Sequence, residues 1–460
     1  MSQILVRKTI FFLFLTLLLA GCSLLEEPPR PVMPTPIATA PPLAEVFGLN
    51  GRIVTDPVSD IVPGVDSSIV DLINAVSQQQ LVAYVQTVEG FHNRNSFSSQ
   101  ESETRGIGAA RRWIAAELER VGNGRLEVTF DEFQLNHAGF SAPQANIIAT
   151  LPGADPNAGV ILVMAHYDNR SVEIADGASR APGANDNASG IALLIESARV
   201  LSFRNWNHTL MFVAMAAEEQ GTYGSRHFAQ TAFLNSMNIL AAINYDGVGG
   251  RAGIPQYVRL FAPDMVSSPS GALARYYHFV GGLYLPTFPV IIYDTLDREG
   301  RWGDHREFVQ LGMPAVRVIE SDEDPELVNS VRDTWSLIDY NYLRQVVQLN
   351  VAVMANLAGA PVTPSTPIVT NMAAPGAYLL TWSVPPDVAG YAISFRPVDS
   401  PMYPSFRFVR GMVAGNVAFT DLDPTLTYAV SLTALDANGR IGDFSPEVIV
   451  GPSAQVSNAP

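Results

Sequence analysis

The chain has 460 residues, a formal net charge of −16 and a 47% hydrophobic composition, so it is too long for one compact core and apolar enough to build two. That acidity disfavours nucleic acid and anionic membrane surfaces as partners. Lys8 is the sole lysine, which removes lysine Schiff bases, cofactor aldimines and Walker-type phosphate loops from the later chain, and Cys22 is the sole cysteine, which excludes an internal disulfide.

At the start, Arg7 and Lys8 precede an apolar core from Ile10 to Ala20, too short to span a bilayer unaided and of the kind found in a signal sequence. Leu19-Ala20-Gly21-Cys22 matches the bacterial lipoprotein box, in which Cys22 becomes the lipidated first residue of the mature chain. The expectation is a signal peptide over 1–21, export, and a lipid anchor holding the protein to a bacterial cell membrane, facing outward or into the periplasm. The following stretch, 22–45, contains EEPPRPVMPTPIATAPP and reads as a semi-extended tether, because proline is frequent and large apolar groups are scarce.

A main domain is expected over 46–360. SSIVDLINAVSQQQLVAYVQTVEG has helical apolar spacing with Ser67 and Ser68 as candidate caps, and ETRGIGAARRWIAAELERVGNG repeats the logic with Gly122 or Gly124 as its stop. LEVTFDEF alternates as a half-exposed strand and NIIATLPG is a second. ILVMAHYD, MFVAMAA and ILAAIN are continuous apolar runs of buried-strand length, NASGIALLIESARVLS is a helix, and YNYLRQVVQLNVAVMANLA closes the domain as an amphipathic helix. Strands alternating with helices give an α/β fold, a mixed and mostly parallel sheet flanked by helices.

Polar groups gather where those apolar runs stop. His166 and Asp168 end the first, Asp186 sits in PGANDNASG, Glu218 and Glu219 follow the second, and Asp246 follows the third. Open α/β sheets place ligands beyond the carboxyl ends of their strands, so these groups are expected to converge. Imidazole with several carboxylates suits divalent metal, one carboxylate bridging if there are two ions. Asp168 can hold the His166 ring from behind, and the adjacent glutamates, in a non-helical turn, diverge so that one binds metal while the other acts as general base.

In order, HYD, APGANDNASG, AEEQGTYGS, NYDGVG and GDHREFVQLGMPAV, over roughly residues 66 to 358, resemble the co-catalytic dizinc aminopeptidases, whose relatives include glutaminyl cyclases, glutamate carboxypeptidases and the transferrin-receptor ectodomain. The resemblance implies a zinc exopeptidase fold with two zinc ions. By that likeness His166 and Asp246 bind one metal, Asp186 bridges, Glu219 binds the second, Glu218 is the general base on metal-bound water and Asp168 the orienting carboxylate. It also implies a cis peptide bond after Asp186. One position departs from the pattern: in ELVNSVRDTWSLID, Asn329 stands where the last histidine ligand belongs. An amide oxygen suits calcium or magnesium better than zinc. Three arrangements follow: a weakened second site held by Asn329, which is the preferred one, rescue by His305, or a single metal. The remaining histidines, His92, His137, His208, His227 and His278, are read as surface or packing residues.

After PVTPSTP, a linker placed at 361–370, the pattern changes. AYLLTWSV, GYAISFRPV, FRFVRG, VAFTDL, TYAVSLTALD and EVIV are short strands at sandwich spacing, with Trp382 and Tyr391 as core aromatics. LDPTLTY resembles the fibronectin type III pattern that places a tyrosine, here Tyr428, at the sandwich corner. A small all-β module over 371–455 is therefore expected, acting as a spacer or as a docking element for a partner.

Three functions compete on this reading. The first is a membrane-tethered zinc aminopeptidase acting on peptides or proteins, the second a glutaminyl cyclase-like acyltransferase, and the third a binding ectodomain that has lost its chemistry. Retention of both glutamates and of four of the five expected ligands favours the first.

Overall fold

The computed structural model describes residues 62–383, 388–411 and 416–451, and the backbone of a two-residue strand, β1 (Pro31–Val32). Cys22, the signal expected over 1–21 and nearly all of the 22–45 tether lie outside the described residues. Among the described residues, no helix is long and apolar enough to cross a membrane.

Ala138 and Gly139, both left-handed (φ 50° and 84°), turn the chain between β2 (Glu127–His137) and β3 (Phe140–Leu151). Such a turn matches the right-handed twist of paired strands, and the hairpin runs farther than LEVTFDEF and NIIATLPG foretell. The strands β4 (Val160–His166), β5 (Thr209–Met215), β6 (Ile239–Tyr245), β7 (Val258–Phe261), β8 (Val290–Tyr293) and β9 (Ala315–Glu320) complete one mixed sheet. Its order is β1-β8-β7-β9-β6-β4-β5-β3-β2. The centre, β9-β6-β4-β5, is parallel, while β3 and β7 join it antiparallel.

Side-chain alternation assigns the two faces. Ile161, Val163 and Ala165 enter the larger core, whereas Leu162 and Met164 enter a second core on the opposite side. The larger core is covered by α1 (Ser67–Asn74), α2 (Gln78–Gly90), α3 (Gly106–Gly122), α4 (Ser189–Leu201), α6 (Pro269–Tyr284) and α8 (Tyr340–Gly359). The smaller is covered by α5 (Tyr223–Leu234) and α7 (His305–Gln310) through Phe228, Ala229 and Phe308.

Two expectations about helices are corrected. The first predicted helix is two, α1 and α2, separated at Ala75–Ser77; Asp66 rather than Ser67 or Ser68 caps α1, accepting from Ser68 N, and Ser77 caps α2 through Gln80 N. The closing helix α8 is not amphipathic along its second half, because every residue from Leu349 to Ala358 is buried. Toward its end Asn356 Nδ2 donates to the Ile441 carbonyl of the C-terminal unit at 2.8 Å.

That unit contains two antiparallel sheets, β10 (Ile368–Asn371), β11 (Tyr378–Thr381) and β14 (Asn416–Phe419) in one, and β13 (Arg407–Arg410), β12 (Gly390–Pro397), β15 (Tyr428–Leu435) and β16 (Val448–Val450) in the other. β10 begins inside the expected linker. Trp382 and Tyr391 meet edge to face at 5.1 Å in the core between the sheets. The Tyr428 hydroxyl accepts from Asp423 N at 3.1 Å. The second sheet is docked on the main domain: the Phe406 and Phe279 rings lie 5.2 Å apart, Tyr276 donates its hydroxyl to the Ile441 carbonyl at 2.8 Å, and Arg440 Nε donates to Asp66 Oδ2 at 2.5 Å.

Candidate metal centre

His166, Glu218, Glu219 and Asp246 come to the carboxyl end of the central strands, because β4, β5 and β6 run parallel and stop at the same level. His166 is the last residue of β4, Glu218 and Glu219 follow β5, and Asp246 follows β6. Asp186 arrives in the turn before α4, and its peptide bond to Asn187 is cis, as the resemblance implies. Among the described residues, His166, Asp186 and Asp246 form a group whose ligand atoms all lie within 4.8 Å of one another. His166 Nε2 stands 3.2 Å from both Asp186 Oδ1 and Asp246 Oδ1.

His166 Nδ1 donates to the backbone carbonyl of Asp168 at 3.1 Å, so Nε2, which faces the two carboxylates, is the nitrogen that a metal would take in place of a proton. The Asp168 carboxylate, expected behind the ring, is 3.7 Å from Nδ1 and does something else: Oδ1 accepts from Glu218 N and Oδ2 from Glu219 N, each at 3.1 Å. Fully buried Asp168 therefore holds the glutamate turn with its side chain and the imidazole with its main chain. Ala217, at φ 57°, and Gly221, at φ 118°, bend the chain around those two amides.

Three residues that sequence reasoning did not single out complete the surroundings. Arg317 Nη2 forms an ion pair with Asp246 Oδ2 at 2.6 Å; a charged residue inside the buried run AVRVIE was the readable signal. Asp333 accepts from Asn185 N at 2.8 Å and Asp186 N at 3.0 Å, fixing the turn that presents Asp186. Arg94, fully buried, donates to the carbonyls of Tyr167, Val88, Pro182 and Gly183 and so ties the β4 end to the Asp186 turn. No pattern around Arg94 in the sequence marks that role.

Charge is balanced unevenly. Burial alone would raise the Asp246 carboxyl, but Arg317 and then His166 hold it below the ordinary carboxylate range. Burial opposes a charge on His166, yet Asp246 and Glu218 outweigh it and raise its pKa well above the usual imidazole value. Burial also pushes Glu218 well above the glutamate range against the pull of His166, and takes Glu219 up to about 8 with the help of Asp186. A divalent cation held by the neighbouring His166, Asp186 and Asp246 would favour the charged form of the buried Glu218 carboxyl, so this surrounding fits a metal.

Asn329 and His305 come out differently. With its amide oriented to satisfy both neighbours, Asn329 donates to Glu219 Oε1 at 3.2 Å and accepts from Arg170 Nη2 at 2.9 Å. His305 is fully buried, with Nε2 donating to the Leu296 carbonyl at 2.7 Å, and stands outside the His166 group. His208 Nδ1 donates to the Ala358 carbonyl, His227 pairs with Asp131, and His137 meets the Tyr223 ring, which are packing roles.

A cleft of about 470 Å³ opens at the group, and its lining includes Arg170, Glu218, Glu219, Leu327, Asn329 and Ile338. Of residues 251–286, Arg251 reaches the cleft, and the remainder forms β7, α6 and their connections.

Comparison with known proteins gives the family and the fold. The profile described as Peptidase family M28 matches residues 146–354. A protein of Pyricularia oryzae described as a probable zinc metalloprotease is 32% identical over 434 residues, covering 82% of this chain and 85% of its own. One of Pyrenophora teres f. teres, with the same description, is 31% identical over 373 residues and covers 72% and 77%. Both relatives are fungal. Among solved structures, the Legionella pneumophila LapA aminopeptidase shares the fold with a TM-score of 0.53 at 20% identity, over 68% of this chain and 78% of that one. An aminopeptidase from Aneurinibacillus sp. strain AM-1 gives 0.51 at 16% identity, over 63% and 96%. The Porphyromonas gingivalis glutaminyl cyclase gives 0.50 at 21%, over 61% and 98%.

Proposed function

The chain belongs to peptidase family M28 and is a zinc metallopeptidase by kinship, and from that premise we propose that it is an aminopeptidase, with Glu218 as its general base. The observation that carries the reading is the convergence of His166 Nε2 with Asp186 Oδ1 and Asp246 Oδ1 directly beneath a cleft that Glu218 lines. His166, Asp186 and Asp246 would hold zinc, the nitrogen-and-carboxylate set that zinc accepts. Zinc bound there supplies Lewis-acid polarisation of the scissile carbonyl and of the attacking water.

The chain's own groups do the rest. Glu218 Oε takes the proton of the attacking water as the new C–O bond forms, and returns it to the leaving amine nitrogen as the C–N bond breaks. Asp168 keeps the Glu218 backbone in register with His166, since one residue binds both. Arg317 occupies Asp246 Oδ2 and leaves Oδ1 toward the metal position.

Several finer elements belong to the same proposal. The Leu19-Ala20-Gly21-Cys22 box supports export and a lipid anchor, with 22–45 as tether, so that the catalytic domain over 46–360 stands off the membrane. The described C-terminal sheets, with the Tyr428 hydroxyl on Asp423 N, support a fibronectin type III-like module after the linker, serving to dock rather than to catalyse.

The test is hydrolysis of a panel of amino-terminal amino-acid anilides by the zinc-loaded protein, with and without chelator. Glu218→Gln should retain its zinc and lose activity by about 100-fold or more. Undiminished turnover by Glu218→Gln would remove Glu218 from the chemistry. Pyroglutamate formed from amino-terminal glutamine, without release of amino acid, would replace the peptidase reading by the cyclase.

A further inference from the structure

Glu219, the residue that the family resemblance assigns to a second zinc, is already satisfied by this chain. Arg170 Nε donates to Glu219 Oε2 at 3.0 Å, and the Asn329 amide donates to Oε1 at 3.2 Å. The guanidinium is itself held on every side: Nη1 donates to the carbonyls of Ser171 at 3.4 Å and Val172 at 3.2 Å, and Nη2 to the Asn329 oxygen at 2.9 Å. The three residues thus close a ring of hydrogen bonds, Arg170 to Glu219, Glu219 to Asn329 and Asn329 back to Arg170. Asn329 is the hinge of that ring because an amide can donate to one neighbour and accept from the other, whereas a neutral imidazole ligating a metal has only one further nitrogen to offer.

We infer that Arg170 takes the place of the second cation, so that this peptidase is mononuclear, with one zinc at His166, Asp186 and Asp246 and a fixed guanidinium beside Glu219. The inference rests on the metallopeptidase reading and narrows its metal content. A dication approaching Glu219 would meet the positive charge of Arg170 at contact distance, in a half-buried setting where repulsion is poorly screened. It would also lack its nitrogen ligand, since the Asn329 oxygen is a neutral, hard donor that zinc disfavours. Glu219 correspondingly stands outside the group of converging ligand atoms. Arginine at 170 and asparagine at 329 are therefore one device: the first supplies the charge that the second, by replacing histidine, no longer helps a metal to supply.

The experiment is metal content of the full-length protein after removal of metal and reloading with excess zinc, read by elemental analysis beside anilide hydrolysis. The wild type should retain about one zinc per chain, and Arg170→Ala/Asn329→His about two. Histidine is among the residues that tolerate the left-handed backbone of position 329, φ 55°. Two zinc ions on the active wild type would overturn the inference while leaving the peptidase reading intact; no zinc and no hydrolysis would overturn both. A folded double variant that still holds one ion would show that Arg170 and Asn329 are not what excludes the second. Should the variant not fold, cobalt(II)-loaded wild type decides: an electron paramagnetic resonance spectrum of isolated high-spin ions is expected, and a spin-coupled pair is the contrary result.

Discussion

Arg317 reaches Asp246 Oδ2 at 2.6 Å with one terminal nitrogen while the other reaches Asp297 Oδ2, also at 2.6 Å. All three side chains are nearly excluded from solvent. Asp246 is thereby held through one oxygen and presents the other to His166, so a buried arginine, not a loop, sets the orientation of a proposed ligand. Removing it takes the guanidinium from one oxygen of each buried carboxylate, leaving Asp246 with His166 and Asp297 with Arg298. Arg317→Met should lower the stability of the metal-free protein by about 3–5 kcal/mol, measured by urea unfolding, and added zinc should recover part of the loss. A change below about 1 kcal/mol would show that the pair is not a structural charge lock.

Asp168 binds both halves of the site, and its two carboxylate oxygens each face an amide N–H. Asp168→Asn turns one of those acceptors into a donor pointed at a donor. We expect kcat to fall by about 10- to 100-fold with KM and zinc content little altered, since the glutamate turn shifts while the ligand group stays. A rise in KM at constant kcat would place Asp168 in substrate binding instead.

His305 is buried beneath Leu296, and burial lowers its pKa from 6.5 to about 4 against the pull of Asp297. The folded protein therefore keeps this ring neutral where the unfolded chain protonates it. Its contribution to stability is complete above pH 6.5 and is lost as pH falls toward about 4. In metal-free protein, the slope of urea-unfolding free energy against pH across that window should be shallower for His305→Gln than for the wild type. Identical slopes would mean that His305 takes up its proton over the same pH range in the folded and the unfolded chain.

The C-terminal unit shares its aromatic face with the main domain, Phe406 against Phe279 and the Tyr276 hydroxyl on the Ile441 carbonyl. Phe406→Ala should cost about 3–5 kcal/mol, read as a lower unfolding midpoint of the whole chain, because it opens a cavity in that shared core. Removal of everything after residue 360 should leave a protein that aggregates, since Phe279 and the second half of α8 would face water. A soluble, equally stable truncation would restore the spacer reading.

The α/β class, the apolar strand runs and the residues that end them were legible in the chain because both signals are local: strand burial writes a continuous apolar run, and parallel strands of equal length deliver their ends to one place. His166, Glu218, Glu219 and Asp246 were legible in that way, whereas Asp186 lies in the turn before α4 and was legible through its motif, PGANDNASG. Local propensity could not tell that α1 and α2 are separate, that β10 begins inside a proline-rich stretch, or that the far half of α8 is covered, since each depends on which neighbour packs there.

Asn329 could be seen as a departure from the sequence alone, but its meaning could not. Arg170 and Asn329 are 159 positions apart (329 − 170), and only folding brings the guanidinium, the amide and the Glu219 carboxylate within hydrogen-bonding range. Arg94 and Asp333 are hidden for the same reason: they act on backbone groups far along the chain, Gly183 and Asp186, which no side-chain spacing records. Sequence determined which ligand chemistry was available, because residue identity sets donor type; tertiary structure decided which donors face a metal and which are spent on one another, because hydrogen bonds and charge pairs are matters of distance.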